Sequence, residues 1–196
     1  MENKKVLITG LGGSIAVHFL AHILHNSDWE VIGIDSFNHR GYSDRLHEVI
    51  KDHPGWIGRW KVITHDLTAP FSEMTKKKIG RIDYIINLAS LSDVEASIAE
   101  PVPFVKNNVS IMLNMLEYAR EVKPKAFVQI GTDEEMGAVK EGEMPDEWAS
   151  VVPSNPYSAS KAAMTCLGIA WWRTYDVPVI LTNTCNNYGE MQSSAK

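Results

Sequence analysis

Six short runs of aliphatic and β-branched residues punctuate the chain, at 4 to 9, 30 to 35, 60 to 65, 82 to 88, 125 to 131 and 178 to 183. Between them apolar residues recur at helical spacing, over stretches near 13 to 25, 42 to 52, 71 to 78, 101 to 121 and 157 to 175. This alternation predicts parallel strands joined by crossover helices, because a parallel pair needs a connection long enough to return to the starting edge. Six strands and five helices fill a doubly wound α/β sheet, whose ligands sit beyond the carboxyl ends of the strands. Every candidate below falls at such an end. On the first helix Ile15, Phe19, Leu20, Ile23 and Leu24 form the expected core face. His18, His22 and His25 share the opposite, solvated one, where no Cys or carboxylate completes a metal site. The connection from Thr132 to Pro156 exceeds ordinary loop length and carries Glu141, Glu143, Asp146 and Glu147, which suggests a lid.

The 196 residues suffice for one well-buried domain, 1–196, and not for a second. A net charge of -5 excludes a broadly basic nucleic-acid surface; the only basic run, Lys76-Lys77-Lys78, falls at a helix end where cations complement the dipole. Cys166 and Cys185 are too few for a disulfide framework and are expected as reduced, buried thiols. Lys4-Lys5 lead straight into Val-Leu-Ile-Thr-Gly rather than a signal sequence, and no run approaches the roughly 18 apolar residues of a membrane span. A soluble cytoplasmic protein, with no nucleic-acid or membrane partner and no metal, is expected.

Strand one runs into Thr9-Gly10-Leu11-Gly12-Gly13-Ser14-Ile15-Ala16, where a helix begins. Gly10 permits a tight turn, Gly13 lets the backbone approach a pyrophosphate, and Ala16 allows close helix-to-strand packing. Asp35, ending strand two, can accept from ribose hydroxyls and would repel a 2'-phosphate, so NAD is favoured over NADP. Arg40, five residues on, has the reach to meet a phosphate. Asp66, after strand three, suits either the adenine amino group or a turn.

Tyr157 and Lys161 stand four apart at the start of the last helix and share a face. A free phenol, with a pKa of about 10, is a poor base at neutral pH; a nearby ammonium stabilises the phenolate and lets it take a proton from an alcohol. Asn155-Pro156 also mark an ordinary helix start.

With these residues in place the chain resembles the extended short-chain dehydrogenase/reductases and, within them, the dTDP-glucose 4,6-dehydratases. The stretches that carry the resemblance are the glycine turn, Asn87-Leu88-Ala89-Ser90, Ser97-Ile98-Ala99-Glu100-Pro101, Phe104 to Asn108, Gly131-Thr132-Asp133-Glu134, Tyr157 to Ala162, Trp172-Arg173-Thr174-Tyr175, Thr182-Asn183 and Asn186-Asn187-Tyr188-Gly189. The resemblance implies a Rossmann domain that holds NAD through Gly10, Gly13, Ser14, Ile15, Asp35, Asp66, Leu67, Leu88, Ala89, Ser90, Asn108, Tyr157 and Lys161. It implies a nucleotide-linked hexose substrate touched by Ser92, Asn186 and Asn187. Thr132 would bind the C4 hydroxyl, Tyr157 would be its base, and Lys161 would hold the nicotinamide ribose and lower the tyrosine pKa. NAD would oxidise C4, Glu134 would take the C5 proton, Asp133 would donate to the departing C6 hydroxyl, and hydride would return to C6. The helices near 101–121 and 157–175 would pair in a homodimer. The alternatives are a sugar-nucleotide 4-epimerase or reductase, and a silent NAD-binding module.

Departures from the pattern gather where substrate is expected. Ser14 and Ala16 replace a Phe and a Gly, Gly131 stands where a serine is common, and Glu135-Met136 replace Val-Tyr. Leu91, Asp93 and Ala96 stand for Glu, His and Arg, and Glu190 for a proline. Such enzymes continue past Asn-Tyr-Gly into a substrate domain, most of which these 196 residues do not include; an excised piece, a protein that works with a partner and one that no longer turns over all fit that.

Overall fold

The computed structural model describes residues 3–39, 41–139, 142 and 144–192. Its strands are β1 (Lys5–Thr9), β2 (Glu30–Asp35), β3 (Trp60–Thr64), β4 (Tyr84–Asn87), β5 (Ala126–Thr132) and β6 (Val179–Thr184). They form one parallel sheet in the order β3-β2-β1-β4-β5-β6. The order reverses between β1 and β4, and the gap that opens there at the carboxyl edge is where a doubly wound sheet takes its ligand.

The connecting helices are α1 (Ser14–Asn26), α2 (Ser43–Ile50), α3 (Glu73–Ile79), α4 (Val94–Ala99), α5 (Pro101–Val122) and α6 (Pro156–Tyr175). Alternate strand residues feed two cores. Leu7, Ile85 and Phe127 pack beneath Met112, Met115 and Leu116 of α5 and Met164 of α6. Val6, Ile8 and Val31 pack against Val17, Leu20 and Leu24 of α1. Burial on both faces explains why the strands read as continuous apolar runs. Phe127 is fully buried, so Phe127→Ala is expected to cost about 3–5 kcal/mol. A denaturant midpoint unmoved by that change would mean the core is not closed around the ring.

Helix α4 and the 3-10 turns Pro54–Trp56 and Asp133–Met136 escape the periodicity, because three to six residues are too few to display it. Asp93 caps α4 by accepting from the Ala96 amide at 2.9 Å. Helix α6 starts where Asn155 accepts from the Ser158 amide at 2.9 Å, with Pro156 in the first turn.

Two expectations need correcting. Ile15 is exposed and lines a surface cavity with Ser14 and His18. Cys166 and Cys185 are exposed, not buried: the first lies on the outer side of α6 and the second follows the last sheet pair. On α6, Trp171 packs on the core while Trp172 faces outward. Arg40, Glu141 and Glu143 lie outside the described residues. The long connection is tethered to the turn it follows, since the Val152 amide donates to the Glu135 carbonyl at 3.0 Å. No helix among the described residues is long and apolar enough to cross a membrane.

Candidate active site

Gly10 adopts φ 68°, and a Cβ there would stand 3.0 Å from the Ala89 backbone. Glycine is therefore required twice, for conformation and for the approach of β1 to the end of β4. The Gly13 amide closes the turn on the Gly10 carbonyl at 2.9 Å. No described side chain caps the N-terminus of α1, and its first turn holds no acid. The leading amides, at Ser14 and Ile15, thus suit an anion such as a pyrophosphate.

Asp35 hangs over this turn. One carboxylate oxygen accepts from the Gly12 amide and the other from Phe37, both at 2.8 Å. Each oxygen keeps a lone pair for a ribose hydroxyl. Arg45, which the sequence did not single out, is buried and donates to the Gly12 carbonyl at 2.9 Å. It holds the glycine turn from beneath. Asp66 takes the turn role: one oxygen accepts from both the Thr68 amide (2.9 Å) and hydroxyl (2.8 Å), which holds its carboxyl below the usual range. Leu67 is core, and its carbonyl accepts from Asn114 at 2.9 Å.

A buried polar chain underlies the nicotinamide end. Thr9 accepts from the Leu88 and Ala89 amides, both at 3.0 Å, and donates to Asn87 at 2.6 Å. Asn87 donates to Gln129 at 2.7 Å, and Gln129 to the Ile130 carbonyl at 2.9 Å. Three strand ends are locked together by groups that satisfy one another. Asn108 is fully buried, grips the Leu91 amide and carbonyl at 2.8 and 3.0 Å, and donates to Ser160 at 2.8 Å. It positions the segment after β4, where Ser90 and Ser92 sit half-buried, rather than opening toward a cofactor.

Thr132, Tyr157 and Lys161 come together, all buried. The Tyr157 amide donates to Ser97 at 3.1 Å and the Lys161 amine to the Ile130 carbonyl at 2.5 Å. The pKa of the Tyr157 phenol is pushed up to about 12, first by burial and then by Glu134, Glu135 and Asp133; the phenol lies close enough to Thr132 for that hydroxyl to lower it slightly. Among the chain's own groups no lowering by Lys161 is seen: the amine is turned to a carbonyl, while three carboxylates crowd the phenol. Burial pulls Lys161 itself down to about 8, opposed by Glu135.

The acids follow Thr132 in the turn Asp133–Met136, whose start Thr132 caps by accepting from the Glu134 amide at 3.3 Å. Glu134 accepts from Ser158 at 2.9 Å and Asn155 at 3.4 Å, so the start of α6 orients its carboxylate. Asp133 stands near the Cys185 thiol, whose pKa it raises. Asn186 and Asn187 are exposed. Asn187, with Ser14, Ile15, His18 and Glu190, lines a cavity of about 480 Å³ on the α1 side, away from Tyr157.

The description of the NAD dependent epimerase/dehydratase family matches residues 6–196. Low-salt glycan biosynthesis protein Agl12 of Haloferax volcanii is 34% identical over 191 residues, covering 97% of this chain and 59% of the relative. The dTDP-glucose 4,6-dehydratase of Neisseria meningitidis is 33% identical over 198 residues, covering 95% and 54%. The crystal structure of a Streptomyces venezuelae dTDP-glucose 4,6-dehydratase, solved with NAD bound, superposes with a TM-score of 0.88 at 30% identity, covering 98% and 59%. The chain thus spans between half and three fifths of the length of these proteins. On the match over nearly its whole length, together with the glycine turn and the Thr132, Tyr157 and Lys161 group, this chain belongs to the NAD-dependent epimerase/dehydratase family.

Proposed function

We propose that the chain is an NAD-dependent nucleotide-sugar 4,6-dehydratase, its NAD-binding and proton-transferring residues carried on one domain over 1–196. The observation that carries this reading is the turn Asp133–Met136, which sets two acids directly after Thr132 and near enough to Tyr157 for their charges to act on its phenol. Epimerisation at C4 needs proton transfer at that hydroxyl alone. Loss of water across C5 and C6 needs one group to take a carbon-bound proton and another to protonate the leaving hydroxyl.

Bound NAD would supply the acceptor and donor of hydride, held by the first turn of α1, Asp35 and Lys161. The chain's own residues manage protons. Tyr157, beside Thr132, takes the C4 hydroxyl proton. Glu134, oriented by Ser158 and Asn155, is the base at C5 and gives a proton back to C5 once C6 is reduced. Asp133 enters protonated and donates to the C6 oxygen, which departs as water. Ser92, Asn186 and Asn187 contact the sugar nucleotide, and the product is a 4-keto-6-deoxy sugar nucleotide. Exposed Val102 and Val105 on α5 and Ile169 and Trp172 on α6 favour pairing of two chains through these helices.

The test is mass spectrometry of a panel of nucleotide-linked hexoses, dTDP-glucose included, after incubation with the chain and NAD. A product lighter by one water is expected, and it would name the nucleotide. An unchanged mass with altered sugar configuration would replace this reading with an epimerase. Unaltered sugars with NAD bound would leave a cofactor-binding module.

A further inference from the structure

Two departures from the dehydratase pattern, Gly131 and Glu135, meet in space. The turn Asp133–Met136 packs on α6 and folds back so that Glu135 Oε1 accepts from the Thr132 amide at 3.2 Å. A Cβ on Gly131 would stand 2.9 Å from that oxygen and 2.4 Å from the Thr182 carbonyl oxygen, so the bare glycine leaves room for the carboxylate. Glu135 is 1% exposed, and its Oε2 is buried with no hydrogen-bond partner among the described residues. A carboxylate so placed persists only where a nearby positive charge offsets the loss of water. Geometry brings a buried cation alongside: the Lys161 amine bonds the carbonyl of Ile130, and the next residue, Gly131, is the one packed against the Glu135 carboxylate; Glu135 accordingly opposes the effect of burial on the amine.

We propose that Glu135 is the counter-charge of Lys161, a buried carboxylate that keeps the amine an ammonium in the catalytic group. It is a positioning residue, acting on the reaction through Lys161. The proposal rests on the placing of Lys161 in the active site above and gives that site a control the dehydratase pattern lacks. The other titratable groups around the pair are Asp133 and Glu134 in the same turn, Tyr157 on α6 and Cys185 past β6. Facing α6 from α4 and α5 are the uncharged Ser97 and Asn108. Glu95, Lys106, Glu117, Arg120 and Glu121 on those helices are exposed. Lys5, at the far end of β1, bonds Glu30.

The test is a pH titration of the lysine 13Cε signals of the labelled full chain, without sugar, with Lys161 assigned from a Lys161→Met variant. In the parent its midpoint is expected at about 8. In Glu135→Gln, which keeps an oxygen for the Thr132 amide, it is expected to fall by about 1 pH unit. Mere loosening of the turn would hydrate the amine and move the midpoint the other way, toward the ordinary 10.5. A midpoint that rises or stays in place therefore overturns the proposal. Should Glu135→Gln not fold, the 13Cδ signal of Glu135 in the parent decides: a charged carboxylate at neutral pH is expected, and a protonated one overturns it. Neither measurement involves turnover, so the dehydratase reading can fail while this one stands.

Discussion

Tyr157→Phe is expected to slow the initial oxidation of a nucleotide-linked hexose by about 100- to 10,000-fold, the range that a positioned general base contributes. The ring keeps its buried seat and only the hydroxyl is lost, so stability is expected to fall by no more than about 0.5–1.5 kcal/mol. The role of the hydroxyl follows from its electrostatics. With the phenol at about 12 in the free chain, only about one molecule in 100,000 carries a phenolate at pH 7. Positive charge must therefore be brought alongside, and Lys161 is the residue able to supply it. Its amine, at about 8, is charged below that pH and neutral above it. The oxidation rate of the parent is accordingly expected to rise with pH up to about 8 and to level off above it, where each gain in phenolate is offset by the loss of the Lys161 proton. The measurement is single-turnover absorbance of reduced nicotinamide. Undiminished reduction by Tyr157→Phe would remove the phenol from the role of base.

Glu134→Gln is expected to separate the two halves of the cycle. Glutamine keeps an oxygen for Ser158 and Asn155, so the start of α6 holds it as it holds the carboxylate. It has no affinity for a proton, and water loss is expected to drop by about 100- to 10,000-fold. Oxidation at C4 and NAD binding are expected to survive. Removing one of the three carboxylates that hold the Tyr157 phenol up also lowers its pKa, so oxidation has no reason to slow. Mass spectrometry in heavy water reads the step directly: the parent incorporates deuterium at C5 and the variant does not. Deuterium incorporated at the parent rate would show that another group is the base, with Asp133 next in sequence.

The strands, five of the six helices and the carboxyl-edge position of every candidate were legible in the sequence. A parallel sheet buried on both faces imposes continuous apolar runs such as Val31 to Ile34, and helices of a dozen residues or more repeat their period often enough to be seen. The pairing of Tyr157 with Lys161 was equally local, since four residues on a helix fix a shared face whatever lies around it. Short elements such as α4 and the turn after Thr132 gave too few residues to show a period.

Whether a polar side chain meets ligand or protein was decided by tertiary structure alone. Asp66 spends an oxygen on Thr68, Asn108 spends all its groups on Leu91, Ser160 and Asn107, and Arg45 reaches Gly12 across 33 positions of chain. The acidity of Tyr157 is likewise a property of place. It depends on burial and on carboxylates more than twenty residues away in sequence, brought near by the pairing of β5 with its neighbours and the packing of α6 upon them. Sequence spacing determines which groups share an element. Desolvation and Coulomb interactions depend on distances between elements, and those exist only once the sheet has closed.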